Sequence, residues 1–238
     1  MKDKDITYTI SNEVFAKYPG YVRGVVRAYG VTNGPSPDEL VALLRDAEAH
    51  IRNHLKTEDM ADNPRMVSWR EAYRAFGAKP AKFRPSMEAM ARRVLKEQEI
   101  PSINALVDIG NIVSLRHLVP AGGHAVDVME QDVALREANG DEEFTAFGSD
   151  QLENPLPGEI ILVEGKIVLT RRWTWRQANH TLVLPSTKDV EVNVDGLPPV
   201  EVSEVEEACR QIIELMERFC GGNADYEVLS QENPTIKL

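Results

Sequence analysis

Two cysteines in 238 residues, Cys209 and Cys220, are too few for a disulfide framework. They share one late helical stretch, too far apart along it to bridge, so both are expected as core thiols. No run of about eighteen apolar residues occurs, and the N-terminal MKDKDITYTI has no apolar core of signal-peptide length. Membrane spanning and secretion are therefore disfavoured, and a cytoplasmic location is expected. Basic residues are scarce as well: 27 Lys and Arg against 38 Asp and Glu leave a net charge of −11, which argues against a broad electrostatic grip on nucleic acid. A small cluster, Arg171, Arg172 and Arg176, could act locally inside that negative field. The chain also lacks a phosphate-cradling glycine loop, a Ser-His-Asp signature and a paired-cysteine zinc pattern. His50 and His54 stand at i and i+4 without a third ligand, so neither a metal nor another cofactor is expected.

What is present suffices for a packed core, since 42% of the residues are hydrophobic. Ile6 to Ile10 and Tyr21 to Val31 alternate as strands, with a short helix over Ser11 to Lys17 between them. Ser36-Pro37-Asp38-Glu39 reads as a capping box launching a helix to about Leu55, with Leu40, Leu43, Leu44, Ala47 and Ile51 on one face. Helices are expected to start at Ser68 and Ser86, joined by a rigid connector from Ala78 to Pro85, and another at Ser102. Beyond Asp127 strands are expected over Val133–Glu137, Phe144–Phe147, Ile160–Val163, Ile167–Arg172, Thr181–Leu184 and Val190–Val194, with Glu164-Gly165 as a hairpin turn. A last helix opens at Ser203 with Glu206 and ends at Gly221-Gly222, leaving Asn223 to Leu238 as a strand or a tail. With no low-complexity linker and no repeat, the pattern predicts one α+β domain over residues 1–238, a mixed or antiparallel sheet flanked by helices.

The stretch from Pro101 to Asp127, PSINALVDIGNIVSLRHLVPAGGHAVD, organises the rest. A buried helix is followed by a Pro-Ala-Gly-Gly break, then His124 and a strand-like Ala125 to Val128. The order of Asn104, Val107, Asp108, Ile109, Asn111, Val113, His124, Ala125 and Asp127 resembles the tRNA-editing domain of the phenylalanyl-tRNA synthetase beta subunit. That domain typically reads Pro-x-Asn-x-Val-Val-Asp-Ile-Thr-Asn-Tyr-Val and then Gln-Pro-x-His-Ala-Phe-Asp. The likeness is strongest over residues 101–193, with residues 1–64 an N-terminal extension of the same domain. It implies hydrolysis of a mischarged aminoacyl ester at the 3′ end of tRNA, here acting in trans.

On that resemblance His124 and Asn111 are the candidate catalytic residues. A histidine titrating near neutrality could orient water or contact the terminal ribose, or it could merely bond backbone at a turn. Asn111 could bind the amino acid or the ribose, or tie helix to loop. Asp108 and Asp127 are expected to be structural. The chain departs from the family pattern at Gly110, where the family has a threonine, at Val126, where it has phenylalanine, and at TRRWTWRQ (Thr170 to Gln177), which replaces a glycine-rich turn. Asn193 stands where the family has a tyrosine-selecting glutamate, and Glu191 lies two residues earlier on the same strand face. Trp173 and Trp175, on a strand, would share one face as an aromatic wall or fill a sheet core, and Arg172 and Arg176 could hold a carboxylate or phosphate. Gly110, Arg172, Trp173, Trp175, Arg176, Glu191 and Asn193 are accordingly the candidate substrate-binding residues. The alternative to hydrolysis is a pocket that binds a free amino acid or similar small molecule without chemistry.

Overall fold

The computed structural model describes residues 5–238. Its elements, in chain order, are β1 (Thr7–Ile10), α1 (Asn12–Lys17), β2 (Val22–Tyr29), α2 (Asp38–His54), α3 (Pro64–Ala75), α4 (Ser86–Val94), α5 (Ala105–His117), β3 (Ala121–Ala125) and β4 (Val133–Glu137). There follow β5 (Phe144–Thr145), β6 (Leu152–Glu153), β7 (Ile160–Glu164), β8 (Ile167–Arg171), β9 (Arg176–Gln177), β10 (Val190–Gly196), α6 (Val202–Phe219), β11 (Asn223–Leu229) and β12 (Thr235–Lys237). The chain is α+β, with helices flanking a six-stranded sheet, β12-β1-β4-β7-β8-β9, and a four-stranded sheet, β11-β2-β10-β3; β5 and β6 form a separate pair. Only β1 and β4 pair in parallel among the described strands.

Alternation decides how the sheets face one another. On β10 the polar residues Glu191, Asn193 and Asp195 lie opposite His124 and Gly122 of β3 and opposite Arg27, Val25 and Arg23 of β2, so all share one face. That face meets the six-stranded sheet: the Tyr8 hydroxyl of β1 donates to Asn193 Oδ1 at 2.8 Å. The other face carries the helices. At Gly24 of β2 an added Cβ would stand 2.3 Å from Cys209 Sγ of α6, so only glycine lets this helix approach. Cys209 and Cys220 are free and buried, as core thiols should be. One hydrophobic cluster runs from Ile6 to Ile236, and a smaller one gathers around Phe144, Ile161 and Val168.

Several helix starts move, two of them because a serine is claimed by the same carboxylate. α5 is capped by Asn104, whose side chain accepts from the Val107 amide; Ser102 instead donates to Asp108 Oδ2 at 2.5 Å. Ser36 makes the same donation at 2.6 Å, which leaves α2 without a side-chain cap although its apolar face packs as the spacing predicts. Both serines are thus taken by one buried carboxylate. α3 begins at Pro64 behind an Asn63 cap, placing Ser68 and Glu71 inside it, and α6 begins behind Glu201, which forms a capping box with Glu204.

The glycine run after α5 is also not a break. Ala121 to Ala125 is the edge strand β3, and glycine fits because a Cβ at Gly123 would crowd Val192 at 3.3 Å. The helix ends earlier, at Leu118, with φ 50°. Thr181–Leu184 is not a strand, and residues 223–238 supply two strands rather than a tail.

Candidate functional site

A cavity of about 220 Å³ opens between the edge strands of the two sheets, β3 and β9, under the first turns of α5. Leu106, Val183, Val190 and Val192 give it an apolar side. Gly110 of α5 and Gly122 and Gly123 of β3 also line it; a Cβ on Gly110 or Gly122 would meet nothing within 4 Å, whereas one on Gly123 would crowd Val192. The space expected from losing the family's threonine is therefore real. Asn111, one helical position on, is half-buried, lines the same cavity and has no hydrogen-bond partner among the described residues.

His124 is buried in the wall between two hydroxyls, with Nδ1 2.6 Å from Thr181 Oγ1 and Nε2 3.1 Å from Thr170 Oγ1. The amide nitrogen of Gln177 lies 3.2 Å from Nδ1 while it donates to the carbonyls of Gly123 and Thr181. Those carbonyls take both amide protons of Gln177, so the tautomer of His124 follows the direction in which the Thr181 hydroxyl is turned. With the Thr181 hydroxyl donating to Nδ1, the ring proton is on Nε2, is donated to Thr170, and leaves that hydroxyl's own proton for a ligand in the cavity it lines. Burial lowers the imidazole from 6.5 to about 3, helped by the Arg23 cation. This corrects the expectation of titration near neutrality: at pH 7 the His124 ring is neutral, and its lowered pKa makes it a weak base.

The cavity floor is an ion pair that the sequence did not reveal. Arg23 Nε meets Asp195 Oδ1 at 2.7 Å, and both residues are buried. The Tyr21 hydroxyl donates to the same carboxylate oxygen at 2.5 Å, Arg23 Nη1 donates to the Tyr8 hydroxyl at 2.5 Å, and Tyr8 passes its proton to Asn193. Asn193 in turn donates to Glu191 at 3.0 Å. Asn193 therefore lines the cavity with its carbonyl oxygen and one amide proton already engaged, whereas Glu191 lies behind it and outside the lining. Burial raises the Glu191 carboxyl from 4.5 to about 8, against the opposing pull of Arg23, and Oε2 has no partner.

The tryptophan run does not continue the strand. Arg172 and Trp173 both take left-handed backbone, with φ 50° and 62°, which breaks the alternation that would have put both indoles on one face. Trp173 turns inward to lie edge-on against Tyr18, Tyr21 and Trp69, with ring centroids 4.7, 4.8 and 5.1 Å away. Trp175 stays half-exposed at the rim beside Phe83, and Arg176 is exposed there. Arg172 is not in the lining. Its guanidinium lies over Phe83 at 3.7 Å and Trp175 at 4.5 Å and is 3.3 Å from Glu159. Arg171 pairs with Glu153 and Glu159, so two of the three clustered arginines are already neutralised.

Asp108 and Asp127 are structural, as expected. Asp108 accepts from Ser36, Ser102 and the Ile103 amide, and Asp127 accepts from the amides of Lys188 and Asp189. The His50 and His54 rings stack at 4.1 Å, with His54 Nδ1 turned to the His50 carbonyl.

Taken together, the fold and the cavity define an α+β protein with a partly open cavity between its sheet edges. The chain belongs to the B3/4 domain family, whose model matches residues 68–221; the domain is found in the phenylalanyl-tRNA synthetase beta subunit. Among solved structures the chain is similar to an N-terminal fragment of the phenylalanyl-tRNA synthetase beta subunit from Pyrococcus horikoshii, with 12% identity and a TM-score of 0.47. That likeness covers 92% of this chain and 50% of the fragment, so the chain spans half the fragment's length. No curated protein matches the chain.

Proposed function

We propose that this chain hydrolyses a mischarged aminoacyl-tRNA ester, acting in trans. The observation that carries the reading is the electrostatic state of the cavity: its buried cation, Arg23, is already matched by Asp195, and His124 is neutral. A free amino acid would bring a carboxylate that finds no unpaired cation at depth, whereas an ester presents a neutral carbonyl to neutral donors. In this reading Asn111 holds the aminoacyl group or the ribose, and the Thr170 hydroxyl, oriented by His124, donates to the carbonyl oxygen on which charge develops. Water oxygen bonds to the carbonyl carbon, the ester C–O bond breaks, the ribose oxygen takes a proton from the water, and the released acid ionises. Positioning without a base supplies the acceleration. Trp175 and Arg176 form the entrance.

The test is amino-acid release from a panel of correctly and incorrectly charged tRNAs, with the native protein, Asn111→Ala and Thr170→Val. Deacylation of one mischarged species that falls by about 10²-fold in Thr170→Val, the scale of losing one stabilising donor, supports the reading. Release at the spontaneous rate across the panel overturns it. Binding of a free amino acid without chemistry then becomes the better account, with Arg176 at the rim as the available cation.

A further inference from the structure

Between positions 70 and 96 the chain carries eight Lys and Arg against two Glu, a local charge of +6 in a protein of −11. Of the two acids, Glu71 is exposed and lowers the surface charge by one, while Glu88 is not at the surface. Glu88 is fully buried, gathers Arg70 and Arg92, and leaves Arg84 at 3.9 Å. Lys79, Lys82, Arg93 and Lys96 are exposed, and none has a carboxylate within ion-pair distance among the described residues. Arg92 and Arg93 sit in the last turn of α4, where cations also complement the helix dipole, but Lys79, Lys82 and Lys96 lie outside the helix and have no such role.

This surface runs directly into the cavity mouth. Ser86, the first residue of α4, lines the cavity, and its amide donates to the Thr174 carbonyl at 3.1 Å. Phe83 meets Trp175 at 4.9 Å, and Lys82 lies over the Phe83 ring at 5.1 Å. A shallow groove on the far side is lined by Arg84, Arg92, Arg93 and Lys96. Beneath the rim, Arg172 is buried between the two rings with Nη1 lacking any partner. From Ser86 to Lys96 the helical rise spans about 15 Å, the length of four or five phosphates on one strand.

We infer that the α4 face, from Lys79 to Lys96, docks the phosphate backbone of an RNA whose terminal residue enters the cavity past Trp175. This rests on the proposal that the cavity receives an RNA-borne aminoacyl group. It also accounts for how an acidic protein can bind a polyanion: positive charge is concentrated along this face although the net charge of the chain is −11. Trp175 offers the aromatic surface an unpaired end base can stack on.

The experiment is fluorescence anisotropy of an unacylated RNA hairpin with a single-stranded 3′ end, titrated with the full chain between about 50 and 200 mM salt. Lys82→Ala/Lys96→Ala is compared with Lys166→Ala/Lys237→Ala, which removes the same charge from the β7–β8 hairpin and the opposite sheet edge. All four side chains are exposed, and the control lysines make only surface contacts, Lys166 with Asp141 and Lys237 with Asp5 and Thr7, which contribute little, so neither pair should disturb folding. The α4 pair is expected to weaken binding at least tenfold at the lowest salt and to flatten the log–log salt slope by about 2, with the control pair within twofold of native. Equal losses from both pairs, or no binding by the native chain at the lowest salt, overturn the inference. So does displacement of the RNA by polyglutamate at equal charge, which would make this a general polyanion surface. Because the RNA is unacylated, the two proposals fail separately. Hairpin binding with no deacylation sinks the hydrolase alone, and hydrolysis of a small aminoacyl ester with no hairpin binding sinks this inference alone.

Discussion

Replacing Glu191 with glutamine isolates the energetics of the polar layer between the sheets. Glu191 is fully buried, accepts one hydrogen bond from Asn193 and leaves its other oxygen unpaired, and burial holds its proton until about pH 8. The unfolded chain releases the same proton near pH 4.5. Between these values the folded state binds more protons, so stability falls as pH rises, by about 1.4 kcal/mol per pH unit. The contribution is complete below pH 4.5 and lost as pH climbs through 8, a loss on the order of 3 kcal/mol by pH 7. Glutamine keeps the shape and the acceptor but cannot ionise. Its amide placed at the unpaired oxygen adds a pH-independent cost, so the informative quantity is the change with pH of the difference between variant and native. In urea unfolding at pH 5 and pH 8, that difference should move in the variant's favour by roughly 3–4 kcal/mol. Parallel stabilities across this range would mean that Glu191 is ionised in the folded protein, and the account of the layer would be wrong.

His124 carries the opposite sign: its folded value is depressed from 6.5 to about 3, so its contribution is present above pH 6.5 and is lost as pH falls through 3. Proton NMR should show its imidazole still neutral at pH 5, and a midpoint near 6.5 would refute the burial of the ring in a water-free wall. Trp173→Ala removes a fully buried indole that contacts three rings and should cost about 3–5 kcal/mol in denaturant unfolding. The two glycines separate cleanly: Gly110→Ala, with open space at Cβ, should stabilise α5 by about 0.5–1 kcal/mol, whereas Gly24→Ala, 2.3 Å from Cys209 Sγ, should destabilise the fold. Equal melting temperatures for the pair would contradict the close approach of α6 to β2.

Much of the architecture was legible because local rules and tertiary packing agree there. The α2 stripe Leu40, Leu44, Ala47 and Ile51, the strands over Val133–Glu137 and Val190–Val194, and the β7–β8 hairpin all follow from spacing alone. Caps were read less well, since a serine before a helix signals a cap only when nothing else claims its hydroxyl, and Asp108 claims two. The ion-pair floor was hidden for a similar reason. An alternating Glu-Val-Asn-Val-Asp strand reads as half solvated, yet here the polar face is turned toward the opposite sheet, where Tyr8 meets Asn193 and Arg23 and Tyr21 meet Asp195 from distant positions. The basic surface escaped notice because arginines adjacent in sequence drew attention to Arg171 and Arg172, which are buried and paired.

The two left-handed residues at Arg172 and Trp173 explain why the site could not be read from alternation. Such a conformation costs on the order of 1–3 kcal/mol per residue and persists only where surrounding contacts over-determine it. Here they do: the Trp173 amide donates to the Ile160 carbonyl at 2.6 Å, its indole nitrogen donates to the Tyr21 hydroxyl at 3.3 Å, and Arg172 is clamped by Glu159 and two rings. A regular strand would have sent both indoles the same way, leaving either an unfilled core beside Tyr18 and Trp69 or a rim without Trp175. The turn divides them, so one tryptophan closes the core beneath the ion pair while the other stands at the entrance. Because Tyr21 bonds both Trp173 and Asp195, the strained turn and the cavity floor are a single hydrogen-bonded unit. Loosening the turn should therefore disturb the Arg23–Asp195 pair before it disturbs the sheets.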